Sequence, residues 1–302
     1  MLRLRTKEEY YNFIEETAKN TSSNAQHLIE YVDYPENVDN TIQIDKADKQ
    51  GLQGLQELYN VDAIAGSGTD LEKVCNVMDW LTRNSFYSGM QIHKLRDDTS
   101  QILKYALKND FKHAINCRFK AIVLTDLLMS IGIIALPLEL VSPVIIDNKF
   151  ITINVHFMVH VYIPEFNKWV LVDPSFNVIF KDNNGNLLDV FEVRKSLVID
   201  NDLILDGYSF NGSNTRCIEE YKTLFLKDTL EFILTWQSNY RKFKPFQRLF
   251  GAEFNCMLSP IGDNFFDRCK STELDDNTRK WLLKREKEIT EIGVIQINEI
   301  VN

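Results

Sequence analysis

The sequence predicts an α+β fold, and three observations carry that expectation. Apolar residues recur at helical spacing from about residue 69 to residue 130. From Ala135 the period changes to the alternation of strands. Three turn signals then divide the strand-like part: Asp147-Asn148-Lys149, Glu165-Phe166-Asn167 and Asp182-Asn183-Asn184-Gly185-Asn186. Helices followed by a run of hairpins form the pattern of helices packed on an antiparallel sheet.

In chain order, residues 1–65 read as a helical or irregular N-terminal extension. Thr6 and Glu9 have the spacing of a capping box, and Ser22 to Gly54 shows no clear period. Thr69 and Glu72 open a clearer helix with Leu71, Val74, Cys75, Met78 and Leu81 on one stripe. A short helix over Gln101–Leu107 precedes the run that begins at Asn116-Cys117. That run is apolar almost all round as far as Ser130, which marks a helix buried among other elements, and Gly132 is its stop. Thr152–Tyr162 alternates as a strand. Ile153, Val155, Phe157, Val159 and Val161 share one face; Asn154, His156, Met158 and His160 share the other. Trp169–Asp173 is the next strand. Beyond residue 200 the chain reads as a mostly helical C-terminal extension packed on the core. Ile218–Tyr240 is a long helix, Asn277–Ile289 an exposed charged helix and Val294–Ile300 a last strand.

The 302 residues suffice for one large core with additions, and 44% hydrophobic with 25% charged residues is ordinary for a globular protein. A formal charge of -9 disfavours a nucleic-acid partner. Five widely spaced cysteines without a C-x-x-C pair read as free thiols in a reducing compartment. The start of the chain, Met1 to Glu8, lacks an apolar signal segment. The most hydrophobic stretch is interrupted by Asp126, Gly132, Pro137 and Glu139, so no membrane span is expected. These readings place the protein in the cytoplasm.

The residues with chemical potential are Cys117, His156 and Asp173. A thiol attacks carbonyls as thiolate, and a helix N-terminus stabilises negative sulfur through its unpaired N–H groups and dipole. An imidazole can take the thiol proton and return it to a leaving group. A carboxylate on the other ring nitrogen fixes tautomer and orientation. Cys117 opens a helix, His156 sits on a strand, and Asp173 ends the neighbouring strand of the same hairpin.

Taken together, Asn116-Cys117 with Ala121, the Gly132-Ile133 turn, His156-x-x-Val159-x-Val161-Tyr162 and Trp169-Val170-x-x-Asp173-Pro174-Ser175 resemble the core of the transglutaminase-like superfamily, relatives of papain-type thiol proteases. The resemblance covers roughly residues 68–180. It implies a papain/transglutaminase-like core over 66–200, with the Cys-bearing helix packed on an antiparallel sheet and Cys117, His156 and Asp173 in the three catalytic positions. Asn116, Met158 and His160 stand where glycine, tryptophan and glutamate are common, so the substrate is not carried over. By the same resemblance Trp80 is a candidate oxyanion donor and Asn116 a supporting residue. The implied activity is acyl transfer or hydrolysis of an amide or ester through a thioester, with no cofactor and no metal. The implied partners are a peptide, a protein or a small amide or ester, with an amine acceptor where the acyl group is transferred.

Each residue also has a plainer reading. Cys117 would serve as a small core thiol, His156 as a polar residue on a solvated strand face, and Asp173 before Pro174 as a turn former. His156 and His160 are four strand steps apart, about 13 Å, too far to share one metal. His113 is a second candidate base. The basic and aromatic stretch Tyr240–Arg248 reads as a solvated turn. The rival to an enzyme is a catalytically inactive module that keeps the fold for binding or scaffolding. A further reading makes residues 201–302 a recognition element.

Overall fold

The computed structural model describes residues 49–89, 95, 98–199, 203–212, 218, 221–222, 226–230, 232–236, 254–258 and 265–291. Its helices are α1 (Lys49–Tyr59), α2 (Val61–Ala65), α3 (Asp70–Asn84), α4 (Thr99–Ala106), α5 (Cys117–Ser130), α6 (Val190–Ile199), α7 (Leu226–Thr229), α8 (Phe265–Lys270) and α9 (Asp276–Glu291). Its strands are β1 (Ala135–Ile146), β2 (Lys149–Ile163), β3 (Lys168–Asp173), β4 (Val178–Lys181), β5 (Ile204–Asp206), β6 (Phe232–Trp236) and β7 (Phe254–Leu258). The helix read at Thr6, the strand at Val294–Ile300 and the stretch 240–248 lie outside the described residues.

Local chemistry sets the helix ends. Thr69 and Glu72 form the capping box at α3: the Glu72 amide donates to the Thr69 hydroxyl and the Thr69 amide donates to the Glu72 carboxylate. Asn116 caps α5 by accepting the Phe119 amide at 3.1 Å. Gly132 ends α5 at φ 84, with the Ile133 amide returning to the Leu128 carbonyl at 3.0 Å. Residues 119–128 of α5 are all buried, as the all-round apolar pattern requires. One side of α5 packs on β1 and β2, the other on α1, α3 and α4.

The fold class is α+β, as read from the periods. Seven strands form one antiparallel sheet in the order β5-β4-β3-β2-β1-β6-β7. The β1–β2 hairpin turns through Asp147 and Asn148, both at positive φ (49 and 61), the type I′ geometry that matches strand twist. Phe157, Val159, Val161, Val170 and Val172 face the helices in one core. Leu138, Leu140, Met158, Leu171, Val178 and Phe180 face a second core on the opposite side.

Two readings are corrected here. The face of β2 that carries His156 and His160 is not solvated: both residues are buried. The chain after β3 folds back over that face and lays Phe176, Tyr208, Phe210 and Tyr221 upon it. Nor is Ile218–Tyr240 one helix. It contains the short α7 and the strand β6, which pairs with β1 through Leu138↔Thr235 to Val141↔Phe232. An apolar run such as Phe232-Ile233-Leu234 fits helix or buried strand, and the open edge of β1 decides it. With β5, β6 and β7 in the same sheet, the region beyond residue 200 is less helical than its sequence pattern implied. Among the described residues no helix is long and apolar enough to cross a membrane.

Leu124 sits fully buried on α5 between the sheet and the helices. Leu124→Ala is expected to cost about 2–5 kcal/mol of unfolding free energy, measured by denaturant titration.

Candidate active site

The register of the central hairpins gathers the candidate residues. Val159 pairs with Val172, so Asp173 flanks Met158, and His156 lies two residues further along on the same face. His156 Nε2 and Asp173 Oδ2 are 2.7 Å apart, and both side chains are 0% exposed. Asp173 Oδ1 accepts the Ser175 amide at 2.8 Å, and Oδ2 also accepts the Tyr221 hydroxyl at 2.8 Å. Cys117 is the first residue of α5 and is half-buried where the two cores meet. Its approach is fixed upstream by a parallel bridge between Ile115 and Tyr87, with Ile115 N–H donating to Phe86 C=O at 2.9 Å. The Cys117 thiol lies near enough to the His156 ring to help raise its pKa. Because Nε2 is taken by Asp173, the nitrogen left for sulfur is Nδ1.

The electrostatics follow from this burial. Desolvation alone would pull the imidazole pKa down. The Asp173 charge and hydrogen bond, joined by Cys117, outweigh it and push His156 up to about 10. The imidazolium is therefore the resident form at neutral pH.

A second buried cation lies one helical turn from the thiol. Lys120 is 0% exposed, and its Nζ donates to Ser85 C=O at 2.8 Å, to Ser85 Oγ at 2.9 Å and to Leu81 C=O at 3.5 Å. It thus caps the last turn of α3, where a cation is favoured by the helix dipole. Burial pulls its pKa down to about 7, against the opposing attraction of Asp173. Neither Lys120 nor Tyr221 was identified from the sequence as part of the site. A lysine inside an otherwise apolar helix was a usable signal for the first; nothing local marks the second.

His160 accepts the Val190 amide at 3.3 Å and stacks on Trp169 at 5.4 Å; burial pushes its pKa down to about 3, so it is neutral. Its surroundings are structural. His113 sits in the 3-10 turn Phe111–His113 against Asp110, Lys108 and Tyr105. Trp80 is half-buried against the helix-side core on α3, and among the described residues its indole has no hydrogen bond to Cys117, His156 or Asp173. Asn116 acts on the site as the N-cap of the cysteine helix. A cleft of about 850 Å³ opens beside the Asp173 turn, between the end of α3 and residues 205–212. Thr82, Ser85, Asn177 and Tyr208 line it, and none of Cys117, His156 and Asp173 does.

The two buried bases give opposite pH signatures. His156 is raised from 6.5 to about 10, so its stabilisation is complete below pH 6.5 and is lost as pH rises through 10. Lys120 is lowered from 10.5 to about 7, so its penalty is complete below pH 7 and is relieved between 7 and 10.5. In the wild type the two slopes offset each other. Lys120→Met is expected to leave a stability that falls from pH 7 to 10, and His156→Gln one that rises, each by up to about 1.4 kcal/mol per pH unit. Urea melts at four pH values would test this; parallel curves for all three proteins would contradict it.

No curated protein matches the chain. A family model does match, over residues 58–174, a stretch that runs from the end of α1 through Asp173 and therefore takes in Cys117, His156 and Asp173. Over this stretch the chain is similar to the transglutaminase-like superfamily.

Proposed function

We propose that the chain is a cysteine-dependent acyltransferase or hydrolase acting on an amide or ester carbonyl. One observation carries this reading. The buried His156 imidazole is held on Nε2 by a carboxylate, and the thiol at the N-terminus of a helix is near enough to act on its charge. His156 already holds the proton given up by Cys117, as a thiolate–imidazolium pair. Sulfur attacks the carbonyl carbon, and the oxygen becomes an oxyanion beside the Cys117 N–H, a first-turn amide with no intrahelical acceptor. Collapse breaks the C–N or C–O bond while His156 returns its proton to the leaving group. In the second half His156 deprotonates water or an amine, which attacks the thioester; the C–S bond breaks and the thiol is restored. Asp173 keeps the imidazole oriented throughout. These steps need no cofactor.

The substrate class we propose is a peptide, a protein or a small amide or ester. The catalytic core is residues 66–200, with 1–65 and 201–302 as extensions upon it. A free thiol nucleophile suits a reducing compartment, in line with a cytoplasmic placement. A second reading is favoured by the cleft: a concave polar site lined by none of the three residues suits a module that binds without turnover.

Site-resolved alkylation across pH separates the two readings. Cys75 and Cys269 are internal references, since burial raises the Cys75 thiol pKa and Cys269 is buried. Cys117 is expected to label faster than both. His156→Ala is expected to slow it by about tenfold or more. Labelling no faster than the references, and indifferent to His156→Ala, would leave the binding module in place of the enzyme.

A further inference from the structure

Asp173 is held by three donors from three parts of the chain. His156 comes from β2, the Ser175 amide from the turn after β3, and Tyr221 from beyond the stretch that matches the superfamily. Tyr221 is 1% exposed, and its ring packs on Phe176 at 4.2 Å, tilted by 37°. Phe176 in turn meets the His156 ring edge-on at 6.0 Å. Tyr221 therefore reaches the pair twice, through its hydroxyl on the carboxylate and through its ring on the wall beside the imidazole. We propose that Tyr221 is a positioning residue of the Cys117–His156–Asp173 site, so that the chain beyond residue 200 completes the site instead of merely covering it. This inference rests on the reading of those three residues given above.

The physics is that of a shared oxygen. Oδ2 accepts from both His156 and Tyr221, while Oδ1 is taken by the Ser175 amide. With both oxygens occupied the carboxylate plane cannot rotate, and it presents one lone pair of Oδ2 to His156 Nε2. The hydroxyl also draws part of the Oδ2 charge away from the imidazolium. Burial, then the Asp173 charge and hydrogen bond, hold the phenol well above its ordinary pKa, so it remains a donor. The titratable groups around Asp173 are His156, Tyr221 and Lys120, and those facing Tyr221 are Asp173, Tyr208 and Tyr87.

The test is Tyr221→Phe in the full chain, which keeps the ring and removes the hydroxyl. The readout is the His156 titration by imidazole nitrogen NMR, with thermal melting alongside. With Oδ2 no longer shared, the His156 pKa is expected to rise by about half a unit or more while the fold is retained. An unchanged or lowered His156 pKa in the folded variant would overturn the proposal and reduce Tyr221 to a packing residue. If Tyr221→Phe does not fold, ultraviolet titration of the tyrosines in Asp173→Asn replaces it: one phenol should ionise at lower pH than in wild type, and an unchanged profile overturns the proposal equally. His156→Ala labelling keeps the two ideas separate. If it leaves Cys117 labelling unchanged, the triad reading fails, whereas an NMR result that fails alone sinks only the role of Tyr221.

Discussion

The rest of the structure depends on the buried pair of His156 and Asp173. An imidazole and a carboxylate 2.7 Å apart at 0% exposure require a dry surround on every side. One sheet face cannot provide that. The helices cover the face of Val159 and Val172, and a second core of Phe176, Phe180, Phe210 and Tyr221 covers the face of the pair. Removing water penalises the imidazolium and strengthens its attraction to the carboxylate at the same time. Here attraction wins, and the imidazole stays charged at neutral pH.

The cysteine helix is the other half of the arrangement. It is buried over residues 119–128, so its start cannot shift without disturbing both the sheet and the helices around it. Asn116 caps it, and the Ile115–Tyr87 bridge holds the chain that enters it. Lys120 ties the same helix to the last turn of α3 through Ser85 and Leu81. A buried cation so placed is costly unless its donors are satisfied, and three oxygens lie within reach of its Nζ. The placement of Cys117 is thus set by groups at a distance from its sulfur.

The region beyond residue 200 has a larger part than a lid or tail. It supplies β5, β6 and β7 to the sheet and lays Tyr208, Phe210 and Tyr221 over the second core. Next to this cover, the cleft is lined by Thr82, Ser85 and Asn177, and Ser85 is also a partner of Lys120. Thr82, which lines the cleft, donates its hydroxyl to the Pro174 carbonyl in the turn that follows Asp173 at 3.3 Å.

Several features were legible because their causes are local. The Thr69–Glu72 box, the all-round apolar helix from Cys117, the Gly132 stop and the Asp147-Asn148 turn follow from capping, period and left-handed backbone preference. The β2–β3 hairpin brings His156 and Asp173 together because alternation and a short turn leave little freedom of register. What local pattern could not decide was which surfaces would be covered. The face of His156 read as polar, with nothing local to show that the returning chain would bury it, and Phe232–Trp236 read as helix until the edge of β1 paired with it. The contact of Tyr221 with Asp173 spans 48 residues and has no periodic signature. The sequence by itself determined the α+β class, the helix that presents Cys117 and the hairpin that presents His156 and Asp173, because these depend on neighbours a few residues away. Only the tertiary structure decided their burial and their further partners Lys120 and Tyr221, because burial is a property of how distant segments pack.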